Sequence, residues 1–138
     1  MMLMVVDGQG GGIGAALIKR LREEIGFELN IVALGTNPIA TSNMMKAGAN
    51  RGASGENAIV RTAPMAQLIV GPIAIVLANA MMGEVTPRMA EAICSSGGRK
   101  ILIPLTQENV MIAGVQAEPL PHLVEQVVKM IIEEGKYV

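Results

Sequence analysis

The sequence predicts an α/β protein, a three-layer sandwich with a mostly parallel sheet between two layers of helices. Three observations carry that reading. Short continuous apolar runs, beginning with Met2–Val6, have the length of strands covered on both faces. Segments of helical periodicity separate those runs, so successive strands are joined by crossovers and pair in parallel. The chain has 138 residues, 51% of them hydrophobic, which suits one domain over residues 1–138 with a proper core.

Met2–Val6 is the first strand. Ile13, Leu17, Leu21 and Ile25 then recur at helical spacing, with Lys19, Arg20, Arg22 and Glu23 on other faces. Gly26 is placed to end that helix in the left-handed conformation. Leu29–Leu34 reads as a second strand, and Gly35-Thr36-Asn37-Pro38 as a turn into a helix near Ala40–Ala47 that Gly48 stops. Ser54 is placed to cap a short helix over Glu56–Arg61. Gln67–Val70 is a third strand, cut off by Gly71-Pro72. Ile73–Met82 fits either a strand or a buried helix, and its length after a strand favours helix. Thr86-Pro87 joins a capping hydroxyl to a proline at the first helical position, so a helix runs to about Ser95 and stops at Gly97-Gly98. Lys100–Leu105 is a strand and Val110–Ala113 a shorter one. Pro121 opens a last amphipathic helix through Glu134, with Leu123, Val124, Val127, Val128 and Ile131 inward.

Composition removes several classes of function. Eleven basic residues against twelve acidic ones leave no basic face to replace phosphate counterions. One Phe and one Tyr leave little for bases to stack on, so no nucleic-acid partner is expected. Cys94, the single cysteine, excludes an internal disulfide and suits a reducing, cytoplasmic setting. The first apolar stretch has no basic region before it and stops at Asp7, unlike a signal peptide. The uncharged run Thr62–Gly83 is long enough to span a bilayer, but Gln67, Gly71-Pro72 and Asn79 interrupt it. A strand, a turn and a buried helix account for it better, so no membrane partner is expected. The apolar fraction and the eleven methionines lead us to expect a symmetric homodimer, with Met81-Met82 and the last helix as contacts.

In a parallel α/β sheet, ligands bind beyond the carboxyl ends of the strands, where the chain order reverses. The polar residues at those ends are Asp7 and Gln9, Thr36 and Asn37, and Thr106, Gln107 and Asn109. The first strand leads directly into Gly8-Gln9-Gly10-Gly11-Gly12-Ile13-Gly14. Gly8, Gly12 and Gly14 match G-x-x-x-G-x-G, while Gly10, Gly12 and Ala15 satisfy the overlapping G-x-G-x-x-[G/A]. Either spacing permits a tight turn, lets backbone approach a pyrophosphate, and allows helix to pack on strand. Free N–H groups and the helix dipole then face the anion. The same glycines also permit close strand–helix packing around an empty loop.

The loop resembles that of the short-chain dehydrogenases, in spacing and in its Gly-Ile-Gly ending. That resemblance implies a small-molecule nucleotide ligand (NAD, NADP or a related compound) held by Asp7–Gly14, with Thr36 and Asn37 near the ribose. Three departures stand against dehydrogenase chemistry. Gly35-Thr36-Asn37 holds neither the carboxylate nor the arginine that would choose between NAD and NADP. Asp7 stands where those enzymes carry threonine or another small neutral residue. Their Tyr-x-x-x-Lys is absent, the one tyrosine being Tyr137. Asp7 has two readings, a ligand residue acting through a metal or hydroxyl and a brace for the turn. The many N–H groups of an empty loop need an acceptor, which favours the brace.

Val32–Asn37, Lys46–Val60, the run at 69–87 and Lys100–Leu105 resemble a family of short bacterial proteins known as a domain of unknown function. The resemblance implies a Rossmann-like fold and brings no activity. No catalytic residues follow from it, and whether the protein is an enzyme stays open. His122, without partners at ligand spacing, reads as a surface residue and not a zinc ligand. Cys94, one turn after Ala90 and beside Ile93, reads as a buried structural thiol. Glu84 either favours the positive end of the next helix or points into the cleft. Three functions remain: nucleotide binding, an oxidoreductase using Asp7, Glu84 or His122 as acid or base, and an assembly or regulatory module with an empty loop.

Overall fold

The computed structural model describes residues 1–105 and 108–134. Thr106, Gln107 and Tyr137 lie outside the described residues. The described chain runs β1 (Leu3–Asp7), α1 (Gly12–Glu24), β2 (Ile31–Gly35), α2 (Pro38–Ala47), β3 (Arg51–Ser54), α3 (Glu56–Thr62), β4 (Leu68–Pro72), α4 (Pro87–Ser95), β5 (Arg99–Ile103) and α5 (Leu120–Glu134). The strands form one parallel sheet in the order β3-β2-β1-β4-β5. Chain direction across the sheet reverses between β1 and β4, where a ligand crevice opens in such folds.

Alternation along each strand divides the core into two layers. Leu3, Val5, Ile31, Ala33, Leu68 and Val70 pack with Leu17, Ile18 and Leu21 of α1, Met44 of α2 and the five inward residues of α5. Met4, Val6, Val32, Leu34 and Ile69 face the other way, onto Ile59 of α3 and Met89, Ala90 and Ile93 of α4. With helices on both faces, the sheet makes the three-layer α/β sandwich expected, of Rossmann-like type. The start of α2 is capped by Asn37, whose side chain accepts from the Ala40 amide, and α4 is capped by Thr86 in the same way. Gly26 and Gly48, at φ 94° and 125°, end α1 and α2 as their positions suggested.

Three elements differ from expectation. Ile73–Met82 is neither helix nor strand: a short 3-10 turn at Ile73–Val76 leads into a series of turns. Asn79, Met81 and Met82 take positive φ there, and the Asn79 amide bonds back to the Val85 carbonyl. Its apolar residues Ala74, Ile75, Ala80 and Met81 are buried by packing against α4 and the sheet, which mimics a buried helix in sequence. The uncharged run Thr62–Gly83 is thereby divided, and among the described residues no helix is long and apolar enough to cross a membrane. Val110–Ala113 is exposed and has no strand partner, so it forms no strand. Arg51–Ser54, exposed at every position, is the edge strand β3; Gly55, not Ser54, stands at the N-cap of α3.

Candidate functional site

Asp7, the last residue of β1, is 3% exposed. Its Oδ1 accepts the Gly8 N–H and its Oδ2 the Gly14 N–H, each at 2.7 Å. The N-cap of α1 is Gly11, at φ 72°, which has no side chain to satisfy the first turn. Asp7 supplies that cap from the preceding strand, as the brace reading required. Burial raises its pKa, the Gly14, Gly8 and Ile13 amides pull it back in part, and the charge of Glu84 raises it further; the net direction is up.

The glycines of the loop sort into two kinds. A Cβ at Gly8 would strike Met81 Sδ and, at 2.6 Å, Thr36 Oγ1. At Gly11 it would meet the Ala40 carbonyl oxygen at 2.7 Å, and at Gly14 it would strike Met44 Sδ. Backbone contact and a positive φ demand glycine at Gly11, while a side chain at Gly8 or Gly14 would have to displace the side chains packed on it. Nothing lies within 4 Å of a Cβ built at Gly10 or Gly12, and neither residue has a positive φ. Among the described residues no hydrogen bond uses the Gly10 or Gly12 amide.

Glu84 turns to the glycine loop and the end of β2 and is not among the residues that line the cavity, which is not the cleft position expected as its alternative role. Its Oε1 accepts the Gln9 N–H at 2.8 Å, Thr36 Oγ1–H at 2.6 Å and Asn37 Nδ2–H at 2.9 Å. Burial alone would raise its pKa, but the bonds from Thr36, Gln9 and Asn37 together outweigh that and hold it below the ordinary value. Asn37 Nδ2 also donates to the Gln9 carbonyl, and Asn43 Nδ2 to the Gly10 carbonyl. The loop is thus tied to the end of β2 and the start of α2. Thr36 and Asn37 hold Glu84 and the loop instead of lining the cavity.

That cavity, about 390 Å³, sits at the β1–β4 reversal. Asp7 and the backbone of 8–13 form one wall; Pro72, Ala74, Met81, Leu105 and Glu108 form the other. The Met81 N–H donates to Glu108 Oε2 at 3.3 Å, joining the turn after β4 to the segment after β5. Among the described residues, none of those lining the cavity is Lys, Arg or His. Glu108, Leu105, Ala74 and Asn43 were not singled out in the sequence, and Met81 was expected at a subunit contact and not here; Gly71-Pro72, at the end of β4, was the one signal for this second wall. Asn109 is exposed and does not line the cavity.

A family model for a domain of unknown function, DUF3842, matches residues 2–136. The chain belongs to that family. No curated protein matches it. His122 is exposed on the first turn of α5. Cys94 is exposed as well, a correction to the buried thiol: α4 turns Met89, Ala90 and Ile93 inward, and the next residue falls about 100° round the helix. Among the described residues no group of three His, Cys, Asp or Glu is arranged to hold a metal.

Proposed function

We propose that this DUF3842 protein binds a nucleotide or dinucleotide, with a phosphate on the Gly10 and Gly12 amides at the start of α1. The observation that carries the reading is the sorting of the glycines. Packing or backbone conformation accounts for Gly8, Gly11 and Gly14, while the space beside Gly10 and Gly12 is kept open at the cavity wall. Their unpaired amides are donors of the kind that phosphates accept at helix starts. The charge of the site limits which nucleotide suits it. The carboxylates of Asp7 and Glu108 line the cavity, and a phosphate charge about 4 Å from a carboxylate is repelled by about 4 kcal/mol at surface-like dielectric. A ligand of low net charge such as NAD, whose oxidised nicotinamide ring is cationic, fits these walls better than ATP.

Thermal unfolding tests the reading. NAD, NADP and ATP are titrated separately, and NAD is expected to raise the Tm as its concentration passes Kd, by about 2.7 kcal/mol of stability at a hundredfold excess over Kd. Gly12→Val puts a side chain into the open space and should abolish the shift while the protein stays folded. A wild-type protein unshifted by every nucleotide refutes the proposal.

A second reading, an assembly module with an empty loop, has its own support. Asp7 and Glu84 already satisfy the Gly8, Gln9 and Gly14 amides without a ligand. Met82 and Met111 are 96% and 97% exposed.

A further inference from the structure

The end of β2 carries no acidic residue of its own, yet a carboxylate stands there. Glu84 arrives from the turn after β4, brought back by a segment in which Asn79, Met81 and Met82 all take positive φ. Oε1 is filled by three donors from Gln9, Thr36 and Asn37. Among the described residues nothing donates to Oε2. An ionised carboxylate accepts hydrogen bonds and cannot donate them, and Oε2, on a half-buried side chain, is open to solvent or to a ligand's donors. Gln9, whose N–H the same carboxylate accepts, directly precedes Gly10, so Glu84 adjoins the loop at the residue before the proposed phosphate site.

We infer that Glu84 is a specificity-determining residue that accepts from the ribose hydroxyls of the bound nucleotide and selects a free 2′-hydroxyl over a 2′-phosphate. The inference rests on the nucleotide reading above. A ribose diol brings two O–H donors to one vacant acceptor oxygen. A 2′-phosphate brings no proton to share and adds negative charge against a carboxylate. Among the described residues, neither those bonded to Glu84 nor those lining the cavity include a Lys, Arg or His to offset it. Thr36 and Asn37 are positioning residues: they aim the carboxylate and spend their donors on Oε1.

Calorimetric titration of wild type and Glu84→Gln with NAD and with NADP tests this. Glutamine keeps an oxygen for the three inward donors and replaces the outward acceptor by an amide N–H. Wild type should bind NAD at least roughly tenfold tighter than NADP. In Glu84→Gln, NAD should bind roughly tenfold weaker and the preference should shrink toward parity. Equal binding of both by wild type, or an unchanged ratio in the variant, overturns the inference and leaves the nucleotide reading intact. Failure of wild type to bind either overturns both. The wild-type ratio alone decides the matter if the variant does not fold.

Discussion

Asp7 and Gly14 are joined by a 2.7 Å hydrogen bond that crosses the whole glycine loop, from the end of β1 to the first turn of α1. Together with the Gly8 bond it makes one carboxylate the acceptor for two backbone donors in a buried place. Asparagine has only one acceptor oxygen, so Asp7→Asn leaves one of those amides facing an NH2 group. The expected cost is about 1–3 kcal/mol, seen as a lower midpoint in urea. NAD affinity should be nearly unchanged if bracing is its whole role. A loss of affinity at unaltered stability would make Asp7 a ligand residue instead.

Asp7 and Glu84 respond to pH in opposite directions. Burial raises the Asp7 pKa in the native state, so the folded protein holds that proton more tightly than the unfolded chain does. The resulting stability is complete below the ordinary value of 3.8 and is lost as pH rises through the higher native value. Glu84 is the reverse case, despite the opposing effect of its burial. Its contribution is present above 4.5 and is lost as pH falls through the lower native value. Urea midpoints across acid pH should therefore show wild type gaining on Asp7→Asn as pH falls, and losing ground to Glu84→Gln. Parallel curves for wild type and a variant would contradict the corresponding shift.

The glycine sorting gives a stability test that needs no ligand. Gly11→Ala adds a left-handed alanine and a clash with the Ala40 carbonyl, at an expected cost of roughly 1–3 kcal/mol. Gly14→Ala presses on Met44, whose flexible thioether can give way, so a smaller loss is expected. Gly10→Ala and Gly12→Ala meet nothing and reduce the freedom of the unfolded chain. They should be neutral or stabilise by up to about 1 kcal/mol. Large losses at Gly10 or Gly12 in thermal unfolding would show that the fold requires them, and the main support for a phosphate site would disappear.

The strands and helices that bury apolar stripes were legible in the sequence because their periodicity reports their own surroundings. All five inward residues of α5 belong to this class, and the α4 cap was readable from its Thr86-Pro87 pair; the Asn37 cap was not foreseen. β3 was not legible, since a one-sided edge strand of Arg51, Gly52, Ala53 and Ser54 carries no apolar pattern. Ile73–Met82 misled because tertiary packing buries an irregular turn as thoroughly as it would a helix. The first wall of the site was readable from the glycines. Its second wall and the support behind the loop were not: Glu108 meets the Met81 amide across 27 residues, and Glu84 meets Asn37 across 47. Such pairings depend on how two crossovers return to one sheet edge, which no local pattern encodes.

Met82 provides the test of assembly. Of the pair expected at an interface, Met81 is buried beside the Gly8 backbone, leaving only Met82 outward. Met82 holds φ at 57°, a conformation that costs a non-glycine residue roughly 1–2 kcal/mol, yet its side chain is 96% exposed. Its exposed side chain contributes no packing against that cost. Burial against a second copy would, since covering a methionine side chain contributes roughly 1.5–3 kcal/mol. Met111, also exposed, lies three residues beyond Glu108, which accepts from the Met81 amide of the same turn. Light scattering at micromolar concentration should give a dimer for wild type and a monomer for Met82→Lys. Met82→Gly is the sharper variant: it relieves the backbone and removes the contact together, so the monomer should be as stable as before or more so while the dimer is lost. In Met130→Lys, on the outer face of α5, a monomer would move the interface to that helix, the other contact expected. A monomeric wild type would refute the dimer.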